Sequence, residues 1–211
     1  ILQLFVELLT EQAFPEEELR IIKERSLQSL KVQLQKNTFL AARKFREELL
    51  GVKHPYARNT TEDSIQAINK AVLEDFFNQK IKNAPFVIFS SGRVGTQEIS
   101  LIEHYLGAIP VQKPFQKFEL KPLNYNTKQS KAYIEKKEAV QTSLLLGKPI
   151  FNAKSLDYTA FVLANTILGG YFGSRLIQNV REEKGYTYSI FSPISFSEQA
   201  NYWRISTDVK K

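Results

Sequence analysis

The chain has 211 residues, of which 43% are hydrophobic and 12% aromatic, and its formal net charge is +7. This composition supplies a globular core and excludes a disordered chain, and the absence of cysteine excludes disulfides and thiol catalysis. The charge is dispersed, with Lys113, Lys117, Lys121, Lys131 and Lys136 interleaved with Glu119, Glu135 and Glu138, so it reads as a solvated face without a nucleic-acid-binding module.

No apolar run approaches the roughly 20 residues needed to span a bilayer. The opening ILQLFVELLT lacks a basic n-region and a small-residue cleavage site, and Glu7 interrupts it, so it does not read as a signal peptide. Leu2, Phe5, Val6 and Leu9 recur at helical spacing, as in a helix entered part-way, and the expectation is a fragment or a processed piece. Pro15 with Glu16, Glu17 and Glu18 opens a second helix to about Gln35, with Leu19, Ile22, Leu27, Leu30 and Leu34 on its apolar face. A third helix follows Asn37 and ends at Gly51. Beyond the His54-Pro55-Tyr56 turn, helices are expected over 62–68 and, with Asn69 as N-cap, over 70–81. Phe86 to Ser90 reads as a short apolar strand, and Thr96 caps a helix to Tyr105.

Residues 110–130 are rich in proline, lysine and asparagine and read as a linker. Strands are expected over 131–137 and 140–146, with Lys148-Pro149 turning out of the second, and a helix over 156–168. The chain closes with strands from Thr187 to about Ser197 and from Tyr202 to Val209. In the last, Tyr202, Arg204, Ser206 and Asp208 share one face, and Trp203, Ile205, Thr207 and Val209 the other.

The richest stretch runs from Thr166 to Ser189. Gly169 and Gly170 end a helical run, Gly173 and Ser174 restart the chain into a helix over 175–184, and Gly185 stops it before a strand. Arg181 in the last turn of that helix and Tyr188 in the strand are thereby aimed toward one spot. A guanidinium fork and a phenol both suit carbonyl or carboxylate oxygens. Tyr186 and Phe191 are open to either a groove-lining or a core role, and Glu182 and Glu183 read as solvated charge at a helix end.

This stretch resembles the signature of the M16 metallopeptidases, the insulinase, pitrilysin and mitochondrial-processing-peptidase superfamily. Gly169, Gly170, Ser174, Arg175 and Leu176 match its G-G-x-x-x-S-R-L segment, and Arg181, Glu182, Gly185 and Tyr188 its R-E-x-x-G-x-x-Y. The resemblance implies an α/β (α+β) fold, mainly an antiparallel sheet covered by helices, of the LuxS/MPP-like metallohydrolase type. Residues 1–109, with the E-L-L-x-x-x-x-F segment at 7–14 and the H-P-Y turn, look like the second part of one repeat, and 131–211 like the first part of the next. The chain then straddles a repeat boundary and holds one repeat's elements in permuted order.

An active member needs a helical H-x-x-E-H, in which two histidines bind zinc and a glutamate activates water. Here His54 and His104 stand fifty residues apart, each without a second histidine nearby. The family's third ligand, a glutamate six residues beyond the arginine that matches Arg25, is replaced by Lys31; Glu24 is the nearest acid. An ammonium is no zinc ligand and repels the cation. The expectation is a non-catalytic region without catalytic or metal residues or a cofactor of its own. It would hold an unfolded or short peptide through Arg181 and Tyr188 for a zinc-bearing partner domain or subunit. The alternative reading is a structural or assembly subunit without peptide handling.

Overall fold

The computed structural model describes residues 1–112, 125, 131–198 and 200–210. They form two compact units that alternate along the chain, Ile1–Gln28 with Thr61–Phe118, and Ser29–Thr60 with Glu119–Lys211. The linker expected over 110–130 falls, apart from 110–112 and 125, outside the described residues. Among the described residues no helix is long and apolar enough to cross a membrane.

The first unit is helical where its capping signals sit. It holds α1 (Leu2–Thr10) and the start of α2 (Glu16–Leu34), followed by α4 (Glu62–Gln66), α5 (Lys70–Phe76) and α6 (Thr96–Tyr105); α3 belongs to the second unit. Thr61 and Ser64 cap α4 reciprocally, and the Asn69 side chain accepts from the Val72 N–H at 3.0 Å to start α5, which widens into a π turn over Phe77–Ile81. Lys23 in α2 donates to the carbonyls of Gln66 and Ile68 at 2.9 and 2.7 Å, supplying a cation where α4 ends and its carbonyls lack helical partners. Ile65, Phe77, Leu106 and Ile109 are buried, and Phe14 packs edge-on against Phe77. Ile22, expected on the apolar face of α2, is 59% exposed.

Two sequence expectations change in this unit. Phe86 to Ser90 is not a strand: no backbone hydrogen bond joins these residues to any described residue, and Val87 and Phe89 are exposed. Apolar content alone makes no strand without a neighbouring ladder. Gly95, rather than Thr96, is the N-cap of α6, and the Glu98 carboxylate reaches back to the Gly95 N–H at 2.8 Å. Bonds from its own amide and from Gly95 hold the Glu98 carboxyl below the ordinary glutamate range. The contribution to α6 is therefore fully present above the unfolded-state value and is lost as pH falls through the lower folded-state value. Protection of the Gly95 backbone amide, measured relative to its intrinsic exchange rate, is expected to fall in acid, and Glu98→Gln should flatten that pH dependence.

The second unit is built on a four-stranded antiparallel sheet. Its strands are β1 (Gln141–Pro149), β2 (Thr187–Phe191), β3 (Ile194–Ser195) and β4 (Tyr202–Lys210), in the order β1–β4–β2 with β3 also on β4. β1 and β4 pair in register from Gln141 opposite Lys210 to Pro149 opposite Tyr202. Pro149 thus ends the strand inside the ladder instead of turning out of it. On one face lies α3 (Asn37–Leu50), which Gly51 ends with φ of +83°, a conformation glycine adopts at low cost. A Cβ at Gly147 would sit 2.7 Å from the Phe45 ring and 2.5 Å from the Trp203 carbonyl oxygen, so the missing side chain is what lets α3 approach β1. Leu49, Leu50, Ala57, Ala200 and Tyr202 form the core there, with Phe45 and Tyr125 against it.

The strand expected over 131–137 does not form. Ala132 to Lys136 instead line a cleft of about 370 Å³ with α3 and β1, and the Lys136 ammonium donates to the Gln35 carbonyl. The long strand expected from Thr187 to Ser197 is broken at Ser192-Pro193, because proline has no amide to give the ladder; its carbonyl instead accepts from the Arg204 N–H at 3.1 Å. β4 shows no alternation of buried and exposed residues. Helices cover parts of both faces, with Tyr202 against Phe45 of α3 and Trp203 bonded to Asn165 of the helix before the signature segment.

Candidate functional site

The signature segment is held at its base by a buried polar cluster. α7 (Tyr158–Asn165) runs into a π turn over Thr166–Gly170, and its last residue, Asn165, donates from Nδ2 to the Ser192 carbonyl at 2.6 Å. The Trp203 indole N–H lies 2.7 Å from both Asn165 Oδ1 and Ser192 Oγ, and the Ser192 hydroxyl donates to Asn165 Oδ1. Three side chains from a helix, a strand end and β4 thus satisfy one another in the interior. Gly169 is pressed into the same corner: a Cβ there would lie 2.6 Å from Ser192 Cβ and 2.9 Å from Leu176 Cδ1. Gly169→Ala is expected to cost about 2 kcal/mol through overpacking, measurable by urea denaturation.

Beyond the glycines the chain turns through Tyr171 to Ser174. Ser174 is fully buried, its N–H donates to the Tyr171 carbonyl at 3.0 Å, and its hydroxyl has no partner among the described residues. A helix follows, π-wound over Ile177–Glu183. Gly185, at φ of +61°, ends it in an αL cap: the Gly185 N–H bonds the Arg181 carbonyl at 3.0 Å, and the Tyr186 N–H bonds the Val180 carbonyl at 3.1 Å. This fixes the angle between the Arg181 turn and β2.

β2 begins with a register shift against β4 between Thr187 and Ile190. Thr187 Oγ1 accepts from the Ser189 N–H at 3.1 Å and donates to the Asp208 carbonyl at 2.5 Å, while Thr207 Oγ1 lies 2.9 Å from Thr187 Oγ1. The irregularity re-aims the residue it contains, as bulges do. Tyr188 is turned out and is 82% exposed between buried Thr187 and Ile190.

The two site residues expected from the sequence meet here. The Arg181 guanidinium carbon lies 5.0 Å from the centroid of the Tyr188 ring and 5.2 Å from that of Phe172, both within cation–π range. Arg181 Nε lies 3.3 Å from Glu182 Oε1, and its terminal nitrogens make no hydrogen bond to a described residue. The outer fork is therefore available to an acceptor from outside. Phe172 was not singled out in the sequence; the only signal was an aromatic in a glycine-bounded turn of the motif. Tyr186 and Phe191 are exposed, which favours the surface role over the core role. Glu183 accepts from Asn179 at 3.0 Å and Glu182 faces Arg181, so the two acids are engaged separately. The cleft beside α3 includes neither Arg181 nor Tyr188.

The model of the peptidase M16 inactive domain matches residues 67–211, more than half of the chain and the whole of this corner. The chain belongs to the peptidase M16 inactive domain family. It is 31% identical over 133 residues to an uncharacterized zinc protease, YmxG, of Bacillus subtilis, covering 63% of this chain and 31% of that protein. It is 26% identical over 204 residues to a non-peptidase homolog, YmxG, of Helicobacter pylori, covering 93% of this chain and 45% of that protein. The solved peptidase M16 inactive domain from Pseudomonas fluorescens superposes with a TM-score of 0.76 at 26% identity, over 99% of this chain and half, 50%, of that one. The chain thus spans half or less of the length of these relatives. The family's helix-and-antiparallel-sheet fold is the one described above.

Among the described residues, the donor set of this M16 inactive domain does not fit a zinc ion. Lys31, which the resemblance sets against the third ligand, is exposed in the last turn of α2, and Glu24 pairs with Arg20 at 2.6 Å. His54 Nδ1 accepts from the Tyr56 N–H at 3.1 Å and so caps the 3-10 turn at Pro55–Ala57, a local role. His104 is exposed in the last turn of α6. Among the described residues no three His, Cys, Asp or Glu side chains come together.

Proposed function

We propose that this M16 inactive domain contributes peptide-substrate binding to a zinc metallopeptidase whose metal is held by another domain or subunit. The observation that carries the reading is the Arg181–Tyr188 corner. A guanidinium with an unengaged outer fork stands beside an exposed phenol, and both are fixed on a capped helix end and a bulged strand instead of a loop. Arg181 would donate to a backbone carbonyl of an extended peptide, and the Tyr188 hydroxyl would supply a further donor. Lys31 supports the division of labour, since a cation at the third ligand position opposes metal binding in this chain. In the same reading, residues 1–109 complete one repeat and 131–211 begin the next.

The test is fluorescence-anisotropy titration of the chain with fluorescein-labelled peptides from unfolded casein. Weak, saturable binding that Arg181→Ala abolishes is expected. Equal binding by both proteins would overturn the reading and leave the structural or assembly role, which needs no free donor fork.

A further inference from the structure

The exposed phenylalanine beside the arginine calls for an explanation of its own. Phe172 is 66% exposed, and the ring contact it makes is with the Arg181 guanidinium, 5.2 Å from its centroid. An exposed ring in a turn gains little from burial, and what the geometry gives this one is the cation beside it. We infer that Phe172 is a positioning residue: with Tyr188 it holds the Arg181 guanidinium by its π face, so that the terminal nitrogens stay directed outward as a preformed donor fork. The inference rests on the peptide-binding reading and adds the residue that makes the donor rigid.

The physics favours this division between ring and fork. A free arginine side chain carries considerable rotamer entropy, and ordering it at the moment of binding weakens the complex. A ring stacked on the cation meets that ordering cost before the peptide arrives, and it occupies the π face without using any of the N–H donors. The Glu182 carboxylate at 3.3 Å takes the Nε edge, leaving the opposite edge for ligand. Phe172 is placed by the turn that Ser174 closes, whose N–H bonds the Tyr171 carbonyl at 3.0 Å. The arginine's orientation therefore depends on the glycine-rich turn as well as on its own helix. A bulky aliphatic residue at 172 would fill the same space but offer no quadrupole.

The test uses Phe172→Leu, Phe172→Trp and Arg181→Ala in the full chain, read by two measurements. The first is the Arg181 Nε–H cross-peak in ¹⁵N-edited NMR, which a neighbouring ring shifts; Glu182 is present in every variant, so its effect cancels. The second is affinity for the labelled casein peptides. Phe172→Leu is expected to move the cross-peak toward the position of a free arginine and to weaken peptide binding about fivefold, and Phe172→Trp to restore both. An unmoved cross-peak, or full affinity in Phe172→Leu while Arg181→Ala loses it, would overturn the positioning role. Full affinity in Arg181→Ala with a cross-peak that still moves in Phe172→Leu would overturn the peptide reading alone.

Discussion

On the proposed function, Arg181→Ala is expected to lower peptide cleavage by the zinc peptidase proposed as its partner about a hundredfold while leaving the melting of the domain unchanged. The size follows from what a preorganised donor is worth near a reacting carbonyl, roughly 3 kcal/mol. The unchanged fold follows from the geometry. The Arg181 side chain is partly exposed, its ion pair joins it to an exposed neighbour, Glu182, and the αL-cap bond from Gly185 uses its main chain alone. Arg181→Lys keeps the charge but loses the planar fork and the stacking surface, and should recover less than a tenth of the activity. The measurement is kcat/KM for peptide hydrolysis beside a thermal melt of each variant. Unchanged turnover in Arg181→Ala would remove the substrate role.

The second large effect lies in stability. Asn165→Ala should destabilise the second unit by about 3 kcal/mol in urea denaturation followed by circular dichroism. The substitution removes the acceptor shared by Trp203 and Ser192 and the donor to the Ser192 carbonyl. Buried groups left without partners cost roughly 1–3 kcal/mol each, and the Trp203 N–H retains Ser192 Oγ, so the loss falls short of the sum. Ser192→Ala, which leaves the indole bonded to Asn165, should cost less than Asn165→Ala. The reverse order would show that the Ser192 hydroxyl, and not the acceptor on Asn165, carries the cluster.

Helices were legible in the sequence because their signals are local. Asn69, Gly51 and the acidic run at 16–18 each act within one turn of the backbone they satisfy, and the structure places helix ends within a residue or two of those positions. Strands were less legible, because a strand exists only by its neighbour. FVIFS and KAYIEKK have suitable side chains but lack a ladder among the described residues, and Pro193 ends one that composition would have prolonged. At the site, the aim of Arg181 and Tyr188 toward each other could be read from the glycine between them. Two further features could not: the irregularity in β2 that turns Tyr188 outward, set by hydroxyl bonds from Thr187 to chain 21 residues away, and the approach of Phe172 through the turn. Both depend on tertiary contacts that no local pattern encodes.

The indole in the Asn165–Ser192 cluster has an optical consequence, since Trp203 is the single tryptophan of the chain and belongs to the second compact unit. Its emission, excited selectively at the red edge of the protein band, reports loss of that half-buried hydrogen-bonded environment and is blind to the helices of the first unit. Far-ultraviolet ellipticity sums over both. Coincident transitions by the two probes would mean that the units melt as one cooperative body, and separated ones that each carries its own midpoint, so the molecule labels one of its halves without any introduced dye.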